Sequence, residues 1–428
     1  ITMGAGTVTG SAGGDIRLAA GGSLALRTVS AGTGDVALMA GAAGSITDAA
    51  NTAAVNITAG GLILEAGVGI GAGANAIDTA VATLSASAGS GGLFVIEADG
   101  LTVDAVTVTV SRVGRNGGTS EVSKTREDLA ATANGAVVAT VEAGDLVVKG
   151  GPVTPDLGVQ AAGSGNVRLQ AVAGDVDLKA GVDGGSGHVT MLAGGDLTQA
   201  AAGDIATTAA GTIDVQADGA IGMADGAAVS AGSGNIRYLA GGALSLGSLA
   251  TAGSVSVRAV SIIDSGELGN TGLDVSAAQL RVESSGAVGE GGRHLTTKVT
   301  KLSARAGAAG LFVTEADGLT VGQTAAVTVK RVGLDGVTLA DQTDAAQSDL
   351  ISGGEAVLVA ATGQLIFEVG SGSVSAAGNI LLETVETAGD LKLSAAVSST
   401  GGHISLKAGR DLLQNADIAS FGAAKSID

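Results

Sequence analysis

Two pairs of acidic residues have side chains and a spacing that could support catalysis or metal binding. Glu97 and Asp99 lie at i and i+2, and the same pair recurs as Glu315 and Asp317. On one β-strand such side chains point to the same side, with Cβ atoms roughly 6–7 Å apart. The spacing suits either two-carboxylate acid–base chemistry or a Ca²⁺ ion held by oxygen ligands.

The sequence around these pairs lacks the residues that usually accompany catalytic carboxylates. A polysaccharide lyase needs Arg or Lys beside its acid and aromatic rings to stack sugars, and neither lies near the pairs in sequence. The motifs GxSxG, GxxxxGK[ST] and HExxH are absent, and the Gly-rich run 67–73 does not fit GxGxxG. We therefore predict no enzymatic activity and no catalytic or cofactor-binding residue. A carbohydrate-active enzyme is the alternative.

Calcium has a broader set of candidates, because many aspartates directly follow a glycine. Calcium-binding nonapeptide repeats place their Asp two residues after Gly, which differs from the spacing here. We therefore expect each aspartate to cap a tight turn through its own backbone, and keep calcium at Glu97, Asp99, Glu315 and Asp317 as an alternative. The aspartates concerned are Asp15, Asp35, Asp145, Asp175, Asp196, Asp204 and Asp390.

The positions of the three histidines and the absence of cysteine limit the kinds of metal site that this chain could form. His188 and His403 follow glycine in the position that Asp or Asn holds elsewhere, so we predict that they are turn residues and not metal ligands. His294 stands alone between Arg293 and Leu295. Because the sequence has no Cys, disulfides, thiolate metal sites and cysteine nucleophiles are excluded.

A short pattern repeats around these residues: Gly, then Asp, Asn, Ser or His, then an aliphatic residue, any residue, and a second aliphatic. Examples are 34–38, 165–169 and 174–178, and successive copies between 165 and 211 start 8 to 13 residues apart. Aliphatic residues at i and i+2 have the period of a strand and not of a helix. The pattern predicts short strands separated by tight turns.

The composition selects one all-β architecture. Of 428 residues, 73 are Gly and only five are aromatic, so the apolar mass is Ala, Val, Leu and Ile. Small aliphatic side chains at a constant period suit identical coils stacked on one another. We predict a parallel β-solenoid, an elongated rod of about 18–20 turns with two or three strands per turn of roughly 20–24 residues.

A longer repeat divides the chain into two similar halves. Residues 84–103 match 302–321, and Phe94 and Phe312 lie 218 positions apart. We predict two repeat units, 1–218 and 219–428. Each contains a more polar stretch, 111–134 and 330–352, predicted to leave the rod sideways as a hairpin or as a loop with one helical turn capped by Thr125.

Charge and hydropathy limit the partners. The net charge is −19, and no Lys/Arg cluster is interleaved with aromatic residues, so nucleic acid is not an expected partner. Every apolar run is interrupted well before the ~18 residues that a transmembrane helix needs. We expect no transmembrane segment.

The repeated phrases resemble the filamentous-haemagglutinin-like group of giant bacterial repeat exoproteins and adhesins. The phrase (Ile/Leu)-Phe-Val-x-Glu-Ala-Asp-Gly-Leu-Thr is found at Leu93–Thr102 and Leu311–Thr320, followed by Arg331–Gly336 and the Asp344–Leu350 run. The first copy departs from that last run, reading KTREDLAA where the second has AAQSDLIS. The resemblance implies a right-handed β-helical fibre at the cell surface and no catalysis.

These observations lead to a functional hypothesis with two alternatives. We expect a structural and adhesive repeat segment of an extracellular bacterial fibre or surface protein, acting in adhesion, biofilm or appendage formation. Its expected partners are neighbouring copies joined end to end, because neither Ile1–Gly14 nor 411–428 reads as a capping segment, and a host, cell-surface or polysaccharide ligand. The alternatives are the enzyme above and a calcium-dependent surface-layer or matrix protein.

Overall fold

The computed structural model describes residues 1–266 and 272–428, and all regular structure in these ranges is β-strand. The chain forms two compact units. Unit 1 consists of residues 1–212 together with 330–340, and unit 2 consists of residues 213–329 together with 341–428. The predicted all-β class is confirmed. No helix in the described part of the chain is long and apolar enough to span a bilayer.

The strands up to residue 212 are β1 (Val8–Gly10), β2 (Ile16–Ala19), β3 (Leu24–Leu26), β4 (Thr28–Ser30), β5 (Val36–Met39), β6 (Ile46–Asp48), β7 (Ile57–Glu65), β8 (Gly69–Ile70), β9 (Ile77–Ala88), β10 (Gly92–Glu97), β11 (Leu101–Val103), β12 (Val106–Val113), β13 (Thr119–Arg126), β14 (Leu129–Ala131), β15 (Val137–Val141), β16 (Leu146–Val148), β17 (Leu157–Ala161), β18 (Val167–Ala171), β19 (Val176–Leu178), β20 (Gly181–Asp183), β21 (Val189–Ala193), β22 (Leu197–Gln199) and β23 (Ile205–Thr207).

The later strands are β24 (Ile213–Ala217), β25 (Ile221–Met223), β26 (Ala228–Ala231), β27 (Ile236–Ala240), β28 (Ala243–Leu246), β29 (Ser248–Thr251), β30 (Ser254–Ala259), β31 (Ser261–Asp264), β32 (Val275–Ser284), β33 (Leu295–Ala306), β34 (Leu311–Glu315), β35 (Leu319–Val321), β36 (Val327–Val332), β37 (Leu339–Asp344), β38 (Leu350–Ser352), β39 (Ala356–Ala360), β40 (Leu365–Phe367), β41 (Val374–Ala376), β42 (Ile380–Thr384), β43 (Leu391–Leu393), β44 (Val397–Ser399), β45 (Ile404–Lys407), β46 (Leu412–Gln414) and β47 (Ile418–Ser420).

Within each unit a strand pairs in parallel with the third strand after it. In unit 1, β15 pairs with β18 and β18 with β21, while β16 pairs with β19 and β14 with β17. In unit 2, β39 pairs with β42 and β42 with β45. Each regular turn therefore contributes three strands, and each unit is a parallel β-solenoid. The two units contain about 18 turns in all. The predicted right-handed sense stays a prediction.

The core of each coil is built from columns of aliphatic side chains. In unit 1, Val137, Val167 and Val189 lie in register on successive turns and are fully buried. Fully burying such a side chain stabilises a protein by about 1.5–3 kcal/mol. A single turn cannot cover its own apolar side, so this gain exists only when turns stack.

The glycine of the short pattern is required by the stacking distance between turns. A Cβ on Gly165 would lie 2.0 Å from the carbonyl oxygen of Gly135 in the turn before. The same clash recurs one turn later, where a Cβ on Gly187 would lie 2.0 Å from the carbonyl oxygen of Gly165. The regular glycines thus report close approach of stacked backbones.

Both polar stretches leave the coil as hairpins, which confirms that part of the prediction. Strands β12 and β13 pair antiparallel, and β36 and β37 form the second two-stranded sheet. The helical turn at Thr125 is wrong: Thr125 lies in β13, opposite Thr107, and the two hydroxyl oxygens are 2.8 Å apart. The alternating Thr and Val residues of β12 pair with β13. Thr125 is therefore part of a strand and does not cap a helical turn.

Candidate functional site

The repeated acidic pairs lie at the ends of strands and not along one strand. Glu97 is the last residue of β10 and is fully buried, whereas Asp99 lies in the following turn and is exposed. The expectation that both side chains share one face of one strand is therefore wrong, because the strand ends between them. The backbone amide of Asp99 nevertheless donates to Glu97 Oε1 at 3.5 Å.

The buried Glu97 carboxyl accepts hydrogen bonds that a neighbouring strand would otherwise accept. The Thr79 hydroxyl donates to Oε2 at 2.6 Å, and the Val81 amide donates to Oε1 at 3.1 Å. Strand β10 covers β9 only up to Thr79, and pairing resumes beyond Val81, at Thr83. Glu97 thus satisfies a backbone donor at the corner where the coil has no strand, which is a structural role.

Unit 2 repeats this arrangement. Glu315 is fully buried at the end of β34, Thr297 donates to its Oε2 at 2.6 Å, and Val299 donates to its Oε1 at 3.1 Å. Burial raises the pKa of Glu97 to about 7 and that of Glu315 to about 8. The neighbouring aspartates add to both shifts, since each prefers a protonated partner.

This geometry does not assemble oxygen ligands around a cation. Each pair offers one solvent-facing carboxyl, that of Asp99 or Asp317, while its glutamate is occupied by Thr and backbone donors. In residues 1–266 and 272–428, no group of three or more His, Asp or Glu side chains is placed to hold a metal ion. Calcium binding by Glu97, Asp99, Glu315 and Asp317 stays a prediction.

The aspartates after glycine form a ladder between turns. Asp15 accepts from the backbone amide of Asp35 at 3.0 Å, Asp145 from that of Asp175 at 2.9 Å, and Asp175 from that of Asp196 at 2.7 Å. Each acceptor and donor occupy the same position in successive turns. The expectation of capping through the residue's own backbone is wrong here, because the next turn lies close enough to present its amide.

The histidines at this position serve the same ladder. Asn166 accepts from the His188 amide at 2.9 Å, and His188 Nδ1 accepts from the Thr212 amide at 3.0 Å. Asn379, His403 and Ser426 repeat this chain of contacts in unit 2. The predicted turn position of His188 and His403 agrees with the structure. His294 lies apart from the ladder, with its ring centroid 5.9 Å from that of Phe312.

Outward-facing residues of unit 1 form a seat for residues 330–340. We call this the covered column; its members are Phe94, Val138, Arg168 and Thr190, in register on four successive turns. The Thr190 hydroxyl accepts from the Val332 amide at 2.9 Å, and Arg168 donates to the Val332 carbonyl at 2.6 Å. Val332 is fully buried as a result.

Two residues beside the covered column complete the seat. Asn166 donates to the Gly336 carbonyl at 2.9 Å, and the Thr212 hydroxyl accepts from the Lys330 amide at 2.9 Å. Gly336 has φ of +69°, and a Cβ there would lie 2.6 Å from that of Ala136. No repeat or motif of the sequence predicts this seat. Its signal was Phe94, an aromatic residue between the inward-facing Leu93 and Val95.

An open groove on unit 2 carries an alternation of charge. Leu239, Arg258, Glu283 and Arg305 lie in register on successive strands and line a cavity of about 620 Å³. Arg258 and Arg305 are exposed, whereas Glu283 is bound by Arg281 at 2.6 Å. The groove therefore contains two arginines whose Cα atoms lie two strand spacings apart along the stack, about 10 Å.

Comparison with known proteins gives no family for this chain: no family model, no curated protein and no solved structure matches it.

Proposed function

We propose that this protein is a structural and adhesive repeat segment of an extracellular bacterial fibre or surface protein. The observation that carries the proposal is the repeated stacking of three-stranded turns within each unit, with aliphatic columns inside. Repeating one short structural unit gives a regular outer surface, which suits a scaffold. The sequence resemblance to filamentous-haemagglutinin-like exoproteins supports the same assignment.

Surface labelling of intact cells tests this function. Antibodies against the purified chain should label unpermeabilised cells of the source bacterium, and protease added outside should remove the label. Deleting residues 1–428 in frame should lower attachment to surfaces or biofilm mass. Labelling that requires permeabilised cells would contradict an extracellular role. Unchanged attachment after deletion would contradict the adhesive part alone.

The groove on unit 2 supplies a ligand class for the adhesive part. Arg258 makes no ion pair within the described residues, and two guanidinium groups in a groove suit the carboxylates or sulfates of an acidic polysaccharide. Unit 1 has Met39, Glu65 and Ser87 at the corresponding register. We propose that unit 2, and not unit 1, binds anionic polysaccharide.

Retention on immobilised heparin and polygalacturonate tests this ligand class. The double substitution Arg258→Ala and Arg305→Ala should abolish most retention at moderate salt. The matched control is Lys392→Ala with Lys407→Ala, which removes the same charge from exposed sites of unit 2 outside the groove. Equal losses in both variants would show a general charge effect and contradict a groove site.

The two alternatives have their own discriminating measurements. A carbohydrate-active enzyme would cleave polysaccharide, and Glu97→Gln with Asp99→Asn would abolish that cleavage. A calcium-dependent matrix protein would lose thermal stability in chelator. An unchanged melting temperature in chelator would exclude ordered Ca²⁺ from the fold.

A further inference from the structure

We propose that unit 2 carries a docking surface for the hairpin tip of a second copy of this chain. We call it the open column; its members are Phe312, Val357, Leu381 and Ser405, in register on four successive turns of unit 2. The docking segment is the tip between β12 and β13, residues 112–118. This inference rests on the proposed fibre function and names the contact that would join its segments.

The open column is the repeat equivalent of the covered column. Phe312 corresponds to Phe94 in the repeated phrase, and both are followed in register by a valine, Val357 or Val138. In unit 1, Phe94 and Val138 are 6% and 4% exposed under residues 330–340 and Thr190 is fully buried, while Arg168 is half-buried. All four members of the open column remain partly exposed.

Three of the four side chains that hydrogen-bond the backbone of residues 330–340 recur in unit 2, whereas the fourth, Arg168, is replaced by Leu381. Asn379, Ser405 and Ser426 occupy the register of Asn166, Thr190 and Thr212, and each retains the same donor or acceptor chemistry. In unit 1 these positions hold hairpin backbone atoms. Among the described residues, none accepts a hydrogen bond from the Asn379 side-chain amide. The surface therefore retains three of the four hydrogen-bonding side chains of the seat and lacks the hairpin.

The tip between β12 and β13 has the shape that this seat accepts. Gly117 and Gly336 occupy equivalent positions, with φ of +80° and +69°, and each donates to the glycine three residues before it. The tip is therefore formed before docking. Val113 corresponds to Val332, yet Val113 is 69% exposed and Val332 is fully buried. The valine that is buried in the seat of unit 1 therefore has an equivalent at this tip that is exposed to solvent.

The root of the same hairpin is fixed, so the tip projects. Val106 and Val108 pack on Ala37 and Ile63, and the Thr109 amide donates to Asp15 at 2.9 Å. Residues 111–120 beyond this anchor are all exposed. A rigid projecting tip loses little conformational entropy when it binds, which favours docking.

The two surfaces also match in charge and space. Glu355 of unit 2 stands at the register of Ala136, which lies under Gly336 in unit 1. The tip brings Arg112 and Arg115 and no acidic residue within 112–118. Beside Phe312 lies a cavity of about 460 Å³, lined in part by Gly291 and Gly292.

The corresponding place in unit 1 shows what such a cavity receives. Gly291 is the repeat equivalent of Gly73, and a Cβ on Gly73 would lie 2.2 Å from the Cα of Asp335. Asp335 therefore fills that space in unit 1. Its counterpart in the tip between β12 and β13 is Asn116. Asn116 of a second copy is the residue that we place in the cavity beside Phe312.

Cross-linking between two variants tests the contact directly, since the chain has no native cysteine. Full chains carrying Asn116→Cys are mixed with chains carrying Gly292→Cys and treated with a short bis-maleimide. We expect a covalent dimer in several-fold higher yield than with chains carrying Val369→Cys, a residue that is 80% exposed outside the open column. Equal yields would overturn the proposal.

Sedimentation velocity over a range of concentration gives the second readout. The unmodified chain should associate, Val113→Asp should weaken association at least tenfold, and Val369→Asp should leave it unchanged. Because Val113 is exposed, its substitution leaves the fold intact. A monomeric parent, or equal association of Val113→Asp, would overturn the docking contact. Surface labelling of cells is independent of this result, so the fibre function and the contact can fail separately.

Discussion

At the ends of β10 and β34 the two units hold the same buried glutamate with the same donors, whereas their outer faces differ. Glu97 and Glu315 each accept from one threonine hydroxyl at 2.6 Å. On the outside, Met39 of unit 1 stands at the register of Arg258 of unit 2. Inward-facing residues are constrained by the turns above and below, so they are similar in the two units. Outward-facing residues lack this constraint, so they differ and can provide binding sites.

The largest expected effect is the difference in stability loss between substituting an inward-facing and an outward-facing residue of the same strand. In β18, Leu169 is fully buried and its neighbour Gln170 is half-buried and faces outward. Leu169→Asp places an unpaired charge in the core, and we expect a loss of at least about 3–5 kcal/mol. Gln170→Asp should change stability by less than about 1 kcal/mol. Thermal unfolding followed by circular dichroism measures both, and equal effects would contradict the assigned strand faces.

The next effect concerns the two buried glutamates and pH. Their pKa values are raised to about 7 and about 8, against about 4.5 when unfolded, so the folded chain retains protons that the unfolded chain releases. Stability should therefore fall as pH rises from about 4.5 to about 8. The penalty above pH 8 is on the order of 3 kcal/mol per site.

Glutamine at both sites should remove most of this dependence. Glu97→Gln and Glu315→Gln keep an oxygen that accepts from threonine and are uncharged at every pH. The double variant should melt higher than the parent at pH 8 and similarly at pH 4.5. Asp274, whose pKa burial raises to about 8, will leave a residual slope. An unchanged pH profile in the double variant would exclude the glutamates as its source.

A smaller effect tests the ladder between turns. Asp175→Ala removes the acceptor of the Asp196 amide and should cost about 0.5–1.5 kcal/mol, whereas Asp175→Asn keeps the acceptor and should cost less. Capping through the residue's own turn would instead leave hydrogen exchange of the Asp196 amide unchanged in the alanine variant. Exchange measured at that amide therefore distinguishes the two arrangements.

The smallest effect compares the kinds of side chain that the ladder accepts. His188→Asn replaces one acceptor by another, as found at Asn166 and Asn379, and should change stability by less than about 0.5 kcal/mol. His188→Ala leaves the Thr212 amide without its acceptor and should cost about 1 kcal/mol. Urea unfolding at neutral pH measures both. A larger loss for Asn than for Ala would show that the imidazole has another role.

The fold was predictable from local signals, because period, glycine spacing and repetition all act within one turn. Alternation in Val167–Leu169 defines which side chains face inward, and the stacking clash at Gly165 explains the glycine. The site was less predictable. The role of Glu97 depends on where β10 ends, and the seat under 330–340 depends on contacts between residues more than 140 positions apart, such as Val332 and Thr190. No local period reports such contacts.

The register between turns has a kinetic consequence. Stacked partners are close in sequence, as with Ile16 and Val36, Val167 and Val189, and Ile380 and Ile404. Closing loops of this length has a small entropic cost that rises only slowly with each added residue. Parallel sheets usually fold slowly because their pairings are distant, but here each finished turn is a template for the next few dozen residues. We expect such a chain to fold progressively, turn by turn, as it emerges from a ribosome or a pore.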